Sequence, residues 1–262
     1  MKRITLSCLL LVLVLSTFTV LAQEDEKTVY FHAGSWDVPR AKWGDFTAYF
    51  EKYEKAVLEK LVADGILVEW GFAANTLHSP DGYSHSIWMG AHSVAGLDKA
   101  LKAFYEAQGE NAAQVEAELA ALVTKHQDTI TRTFFYGTRS GRLEGGHLLG
   151  SSRKVKSGRM SDYRKAWGAW VKPVYEKLLA EGTIVGYTLE TEWAHTSEPG
   201  EVITWYLVED LAAEEKVDAA FAAVWESLNE VERNARMTYW RDMTVAGHHR
   251  DLLDQVIYSQ FK

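Results

Sequence analysis

The sequence predicts an α+β protein in which one β-α-β-β-α-β unit is written twice, its two antiparallel sheets packed face to face as an α/β barrel. Three observations carry this. Sliding the chain by 117 residues lays the first half on the second. Both halves pass through helical and strand periodicity in the same order. Turn chemistry also recurs at one place in each copy, as Pro80-Asp81-Gly82 and Glu198-Pro199-Gly200.

The chain opens with a segment outside the unit. A basic start, an apolar run from Ile4 and the small-residue pattern Val20-Leu21-Ala22 read as a secretory signal peptide over residues 1–22. The expectation is therefore a periplasmic or secreted protein with no membrane association after cleavage. The single cysteine, Cys8, lies inside that segment, so the mature chain has no thiol for a disulfide, a metal thiolate or a nucleophile. Loss of Lys2 and Arg3, with no acidic residue, takes the formal charge from -8 to -10. Such acidity speaks against a nucleic-acid partner and for solubility. Ten Trp, twelve Tyr and ten Phe provide for a large core.

The copies are expected over residues 23–140 and 141–262, with the glycine-rich stretch 141–146 as linker. Each starts with a strand, near 28–33 and 148–155. Next, Phe46, Tyr49, Phe50, Tyr53, Val57 and Leu61 recur at helical spacing, as do Tyr163, Ala166, Trp167, Trp170, Val174 and Leu178. Gly65 and Gly182 stop these helices. Period-two runs follow, with Val68, Trp70 and Phe72 on one face, matched by Val185, Tyr187 and Leu189. Each run returns as a hairpin, and a one-residue slip there aligns Ile87-Trp88-Met89 with Trp205-Tyr206-Leu207. A helix over 96–108 or 211–228, a second short helical stretch and a last strand over 130–138 or 252–261 complete each copy. That order is the ferredoxin-like unit, a four-stranded antiparallel sheet with two helices on one face. An equal neighbour can cover the other face.

A helix with Asp45-Phe46 or Asp162-Tyr163 near its start, a run ending in Gly, a hairpin, a helix and a last strand resemble the dimeric α/β barrel superfamily. That group includes NIPSNAP-like, antibiotic-monooxygenase-like and chlorite-dismutase-like families, and more narrowly exported two-copy members of bacteria. The resemblance covers nearly the whole mature chain. It implies a ligand cavity between the sheet and the first helix; the duplication itself allows a monomer or homodimer, since the two sheets of one chain can complete the barrel. The resemblance also implies two alternatives to simple ligand binding: a monooxygenase-like or haem-dependent enzyme, and an assembly module without catalysis.

Rings line the implied region. Trp43, Tyr49, Trp70 and Phe72 in the first copy, with Trp167, Trp170, Tyr187 and Trp193 in the second, suit a flat apolar or aromatic small molecule. His78 and His195 precede the two turns as further ligand contacts or as backbone-bonding turn residues. His126 and His249 each stand two residues before an Asp, Asp128 and Asp251, ahead of the last strand. A carboxylate-oriented His is a general base, provided that the segment is extended so that both side chains share a face. No cofactor is required by any motif. Haem enters only through the resemblance, with His126 or His249 as axial ligand and Arg132 or Arg241 opposite. No metal site is expected, since His85 and His92 fall on opposite faces and no H-E-x-x-H spacing occurs. The cluster from Arg236 to Arg241 reads as stacking at a helix end.

Overall fold

The computed structural model describes residues 27–77, 82–194 and 199–262. The segment expected to be a signal peptide, His78, His195 and parts of the two turns lie outside them. The first half holds β1 (Tyr30–Asp37), α1 (Trp43–Tyr53), α2 (Lys55–Ala63), β2 (Glu69–Asn75), β3 (His85–Ala91), α3 (Val94–Gln108), α4 (Ala112–Leu122) and β4 (Lys125–Thr138). A short β5 (Gly141–Leu143) joins it to β6 (His147–Val155), α5 (Met160–Trp170), α6 (Lys172–Ala180), β7 (Gly186–Ala194), β8 (Glu201–Val208), α7 (Leu211–Ser227), α8 (Glu230–Met243) and β9 (Thr244–Phe261). Each half is thus the expected β-α-β-β-α-β unit. Among the described residues no helix is long and apolar enough to cross a membrane.

The strands run β2-β3-β1-β4-β7-β8-β6-β9, all antiparallel, and β9 returns to pair with β2. The two four-stranded sheets therefore face each other and are also hydrogen-bonded along both margins, which closes an eight-stranded barrel and leaves it no open edge. The β5 strand pairs with β9 and buries Leu143 in the barrel interior, so the glycine-rich junction is part of the sheet rather than a free linker.

Register corrects the sequence alignment. Trp88 lies opposite Ala33 and Gly71, and Trp205 lies opposite Gly150 and Thr188, so the offset of 117 runs unbroken through the hairpins without a slip. The reason is that side chains alternate across a sheet: a one-residue shift would turn Trp205 outward. The length change comes only in the helices, after which Trp36 faces His126 as Arg153 faces His249.

Helices α1 to α4 cover the outer face of the first sheet, where Phe46, Phe50, Leu58 and Leu61 pack on Trp70, Phe72, Ile87 and Met89. In the second half Tyr163, Trp167, Tyr175 and Leu178 pack on Tyr187 and Leu189. The long first helix of each copy is two helices instead, broken at Glu54 (φ -116°) and Val171 (φ -106°). Pro173, which has no N–H to give, sits at the start of α6 and suits that break. The stops at Gly65 (φ 73°) and Gly182 (φ 77°) use the left-handed backbone that glycine adopts without cost.

Inside the barrel, Phe31, Trp88, Trp205, Leu207 and Phe261 form a third core. Val68 and Val185 pack against it, inward of the face that alternation gave them, because each lies one residue before its regular strand. Two carboxyls are buried among these rings. The Trp88 indole donates to Glu69 at 3.0 Å and the Tyr136 hydroxyl donates to the other oxygen at 2.7 Å. The Trp205 indole donates to Glu190 at 2.9 Å and Thr131 donates at 2.7 Å. Burial drives both carboxyls up to about 7.

Candidate functional site

Each half has a cavity between its sheet and its helices. In the first, β4 begins at Lys125, earlier than the sequence suggested, so His126 and Asp128 are extended and share a face. His126 Nε2 lies 3.2 Å from Asp128 Oδ1, and His32 Nε2 from β1 lies 3.4 Å from the same oxygen. Trp36 stacks on the His126 ring at 4.9 Å and 13°. These four residues border a cavity of about 240 Å³ whose other walls include Tyr49, Glu54, Leu58, Ile87, Met89 and Phe104. Burial lowers the His32 pKa against the opposing pull of Asp128, and burial raises the Glu54 carboxyl to about 7. A carboxylate that orients imidazoles beside a carboxyl able to hold a proton near neutrality is acid–base equipment.

In the second half β9 begins at Thr244, so His249 and Asp251 are extended too, with Nε2 to Oδ1 at 3.1 Å. Arg153, at the position of Trp36, reaches His249 Nε2 with Nη2 at 3.3 Å. Arg153 borders a second cavity of about 890 Å³, within the roughly 300–1,000 Å³ usual for small-molecule sites. Its apolar walls are Trp167, Tyr175 and Val171 from α5, α6 and the break between them, Phe221 from α7, and Met237 and Trp240 from α8. Ser151, Tyr163, Thr204, Asn234, Thr238 and Arg241 supply polar groups. Stacking orders these rings: Trp167 lies on Tyr187 at 6.2 Å and on Tyr175 at 5.9 Å, while Trp240 meets Tyr163 edge-on at 4.9 Å.

No protein-family profile matches the sequence, and no curated protein does. Solved structures do match in shape. A provisionally assigned monooxygenase from Lactobacillus acidophilus NCFM superposes with a TM-score of 0.63 at 11% identity, over 89% of this chain and 96% of its own. Another from Fusobacterium nucleatum subsp. nucleatum gives 0.63 at 10% identity, over 91% and 96%. The chain has the dimeric α/β-barrel fold. An anthrone oxidase-like protein also matches, with a TM-score of 0.53 at 13% identity over 90% and 94%. At such identities the likeness is one of architecture.

Within this α/β barrel the nominated rings divide. Tyr49 and Trp167 border the two cavities. Trp70, Phe72 and Tyr187 do not; they are buried in the helix-facing cores, because their strand face is the one the helices seal. Trp43 is used locally: its indole donates to Val38 O at 3.0 Å and its ring meets His85 at 4.9 Å. Trp170 packs edge-on against Tyr239 and Trp240 under the Arg236 guanidinium, behind the cavity wall. Trp193 is 44% exposed and lies against Tyr30 at the surface. The cluster from Arg236 to Arg241 does stack, Arg236 over the Trp170 ring, and its Met237, Thr238, Trp240 and Arg241 also form a wall of the larger cavity.

Sequence reasoning did not single out His32, Glu54, Arg153, Tyr175, Phe221 or Met237 as site residues. Only His32, Glu54 and Arg153 left a trace there, as polar residues in stretches of strand or helical periodicity. A haem does not fit the residues named for it. His249 is not among the residues that line the larger cavity, and His126 and His249 both turn Nε2 toward a carboxylate. Arg132 is exposed, with its side chain outside both linings. No group of three or more His, Cys, Asp or Glu among the described residues is arranged to hold a metal.

Proposed function

We propose that this chain binds a small, flat, largely aromatic molecule without covalent chemistry, in the cavity between the sheet and helices of its second half. The observation that carries the reading is the cavity of about 890 Å³ walled by Tyr163, Trp167, Tyr175, Phe221 and Trp240. Aromatic faces give a planar guest stacking area, and the polar residues around the rim fix its orientation. Titration with polycyclic aromatic compounds, read by tryptophan fluorescence and calorimetry, is expected to show saturable binding that weakens at least tenfold in Trp167→Ala. Saturation unaffected by that change would place the guest elsewhere.

A second reading belongs to the first half, where His32, Asp128, His126 and Glu54 share one smaller cavity. It is an oxygen-using enzyme in which His126, oriented by Asp128, removes a proton from an acidic aromatic substrate. Anthrone is a suitable probe, given the name of one structural neighbour. Oxygen uptake with anthrone that falls about a hundredfold in Asp128→Asn supports this reading, and uptake equal to the uncatalysed rate in the unaltered protein removes it. Export is part of the proposal as well. Mass spectrometry of the protein recovered from a bacterial periplasm is expected to find Gln23 as its first residue.

A further inference from the structure

The two cavities differ at one decisive place. Where the first half has Trp36 stacked on His126, the second has Arg153 beside His249. One imidazole nitrogen, His249 Nε2, lies within reach of both Asp251 Oδ1 and Arg153 Nη2, and a single nitrogen either donates or accepts. The guanidinium therefore keeps at least four of its five N–H groups for other partners. Tyr163, 4% exposed, borders the same cavity as Arg153. Burial pushes its phenol up to about 12 there, against the opposing pull of Arg153. Arg241 lines the same cavity, with Thr238 as its hydrogen-bond partner at 3.3 Å.

The charged residues among those that line the cavity are Arg153 and Arg241, with no carboxylate beside them in the lining. An anion is therefore attracted there even though the chain as a whole is acidic.

We propose that the molecule bound in the larger cavity is an aromatic carboxylate, its ring system between Trp167, Phe221 and Trp240 and its carboxylate received by Arg153 and Tyr163. Asp251 and His249 are the positioning pair behind that arginine rather than catalytic groups. This rests on the binding reading above and gives it a ligand class. A planar guanidinium takes a carboxylate through two parallel hydrogen bonds, which a neutral amide cannot reproduce.

The test compares 2-naphthoate and anthracene-9-carboxylate with their primary amides by calorimetry on the purified chain at pH 7.5. The acids are expected to bind at least tenfold more tightly than the amides. Arg153→Gln, at an exposed position that tolerates the change, should abolish the preference, so that acid and amide bind equally. Asp251→Asn should reduce the acid-to-amide ratio about threefold, a change of selectivity that a merely structural role for Asp251 does not give. Equal affinity for acid and amide, or a preference that survives Arg153→Gln, overturns the inference and leaves aromatic binding standing. Failure of both acid and amide to bind overturns the two together.

Discussion

Gly71 shows how tightly the barrel interior is drawn. A Cβ built there would lie 1.9 Å from Trp88 Cζ2, and that indole is held in place by its hydrogen bond to Glu69. Gly71→Ala is expected to lower stability by about 1–3 kcal/mol, the usual cost of overpacking, measured as a lower urea midpoint. The buried carboxyls make a second prediction at this scale. Glu69 and Glu190 hold their protons more tightly in the folded chain, at about 7, than at the ordinary 4.5, chiefly through burial. Their stabilising contribution is complete below pH about 4.5 and is lost as the pH rises toward about 7, at about 1.4 kcal/mol per pKa unit. Glu190→Gln should flatten the fall in stability between those limits, and denaturation curves at pH 5 and pH 7.5 measure it. Neither carboxyl stood out in the sequence as a buried group. Glu69 occupies the position of Gly186 and Glu190 that of Ala73, so duplication gave no paired signal for them.

At the scale of elements, periodicity located every strand and helix of the two units but misjudged where they begin and break. The strands that carry His126 and His249 start several residues earlier than their apolar runs, because hydrogen bonding to β1 and β6 extends a polar segment that alternation alone leaves undefined. The two helix breaks were legible only in Pro173, since Glu54 reads as an ordinary helix former. The β5 strand was legible as turn-prone glycine, while the burial of Leu143 depends on the distant β9. Leu143→Asp places a carboxylate in the barrel interior and is expected to cost about 2 kcal/mol or more. An unchanged urea midpoint would show that this junction is a loose linker.

For the whole molecule, the tandem unit and its fold were readable because each level of pattern agreed with the next, from helix stripe to turn to repeat. The cavities were legible as a region, between the sheet and the first helix, and not as a residue set. Which ring borders open space and which is sealed depends on how α7 and α8 sit over the sheet. A barrel complete within one chain has no sheet margin left for a partner, so light scattering is expected to give the mass of a single chain. A stable dimer would point to the helical surface as the contact.

The pairing of β2 with β9 joins residues as far apart as Trp70 and Gln260, 190 positions along the chain. During synthesis β2 must wait, one side unmatched, until residues 244–261 have been made. A first half released alone would carry that bare strand into solution, where a second copy of itself offers the nearest complement. Shortening the protein from its carboxyl end should therefore yield inclusion bodies before it yields a smaller soluble domain.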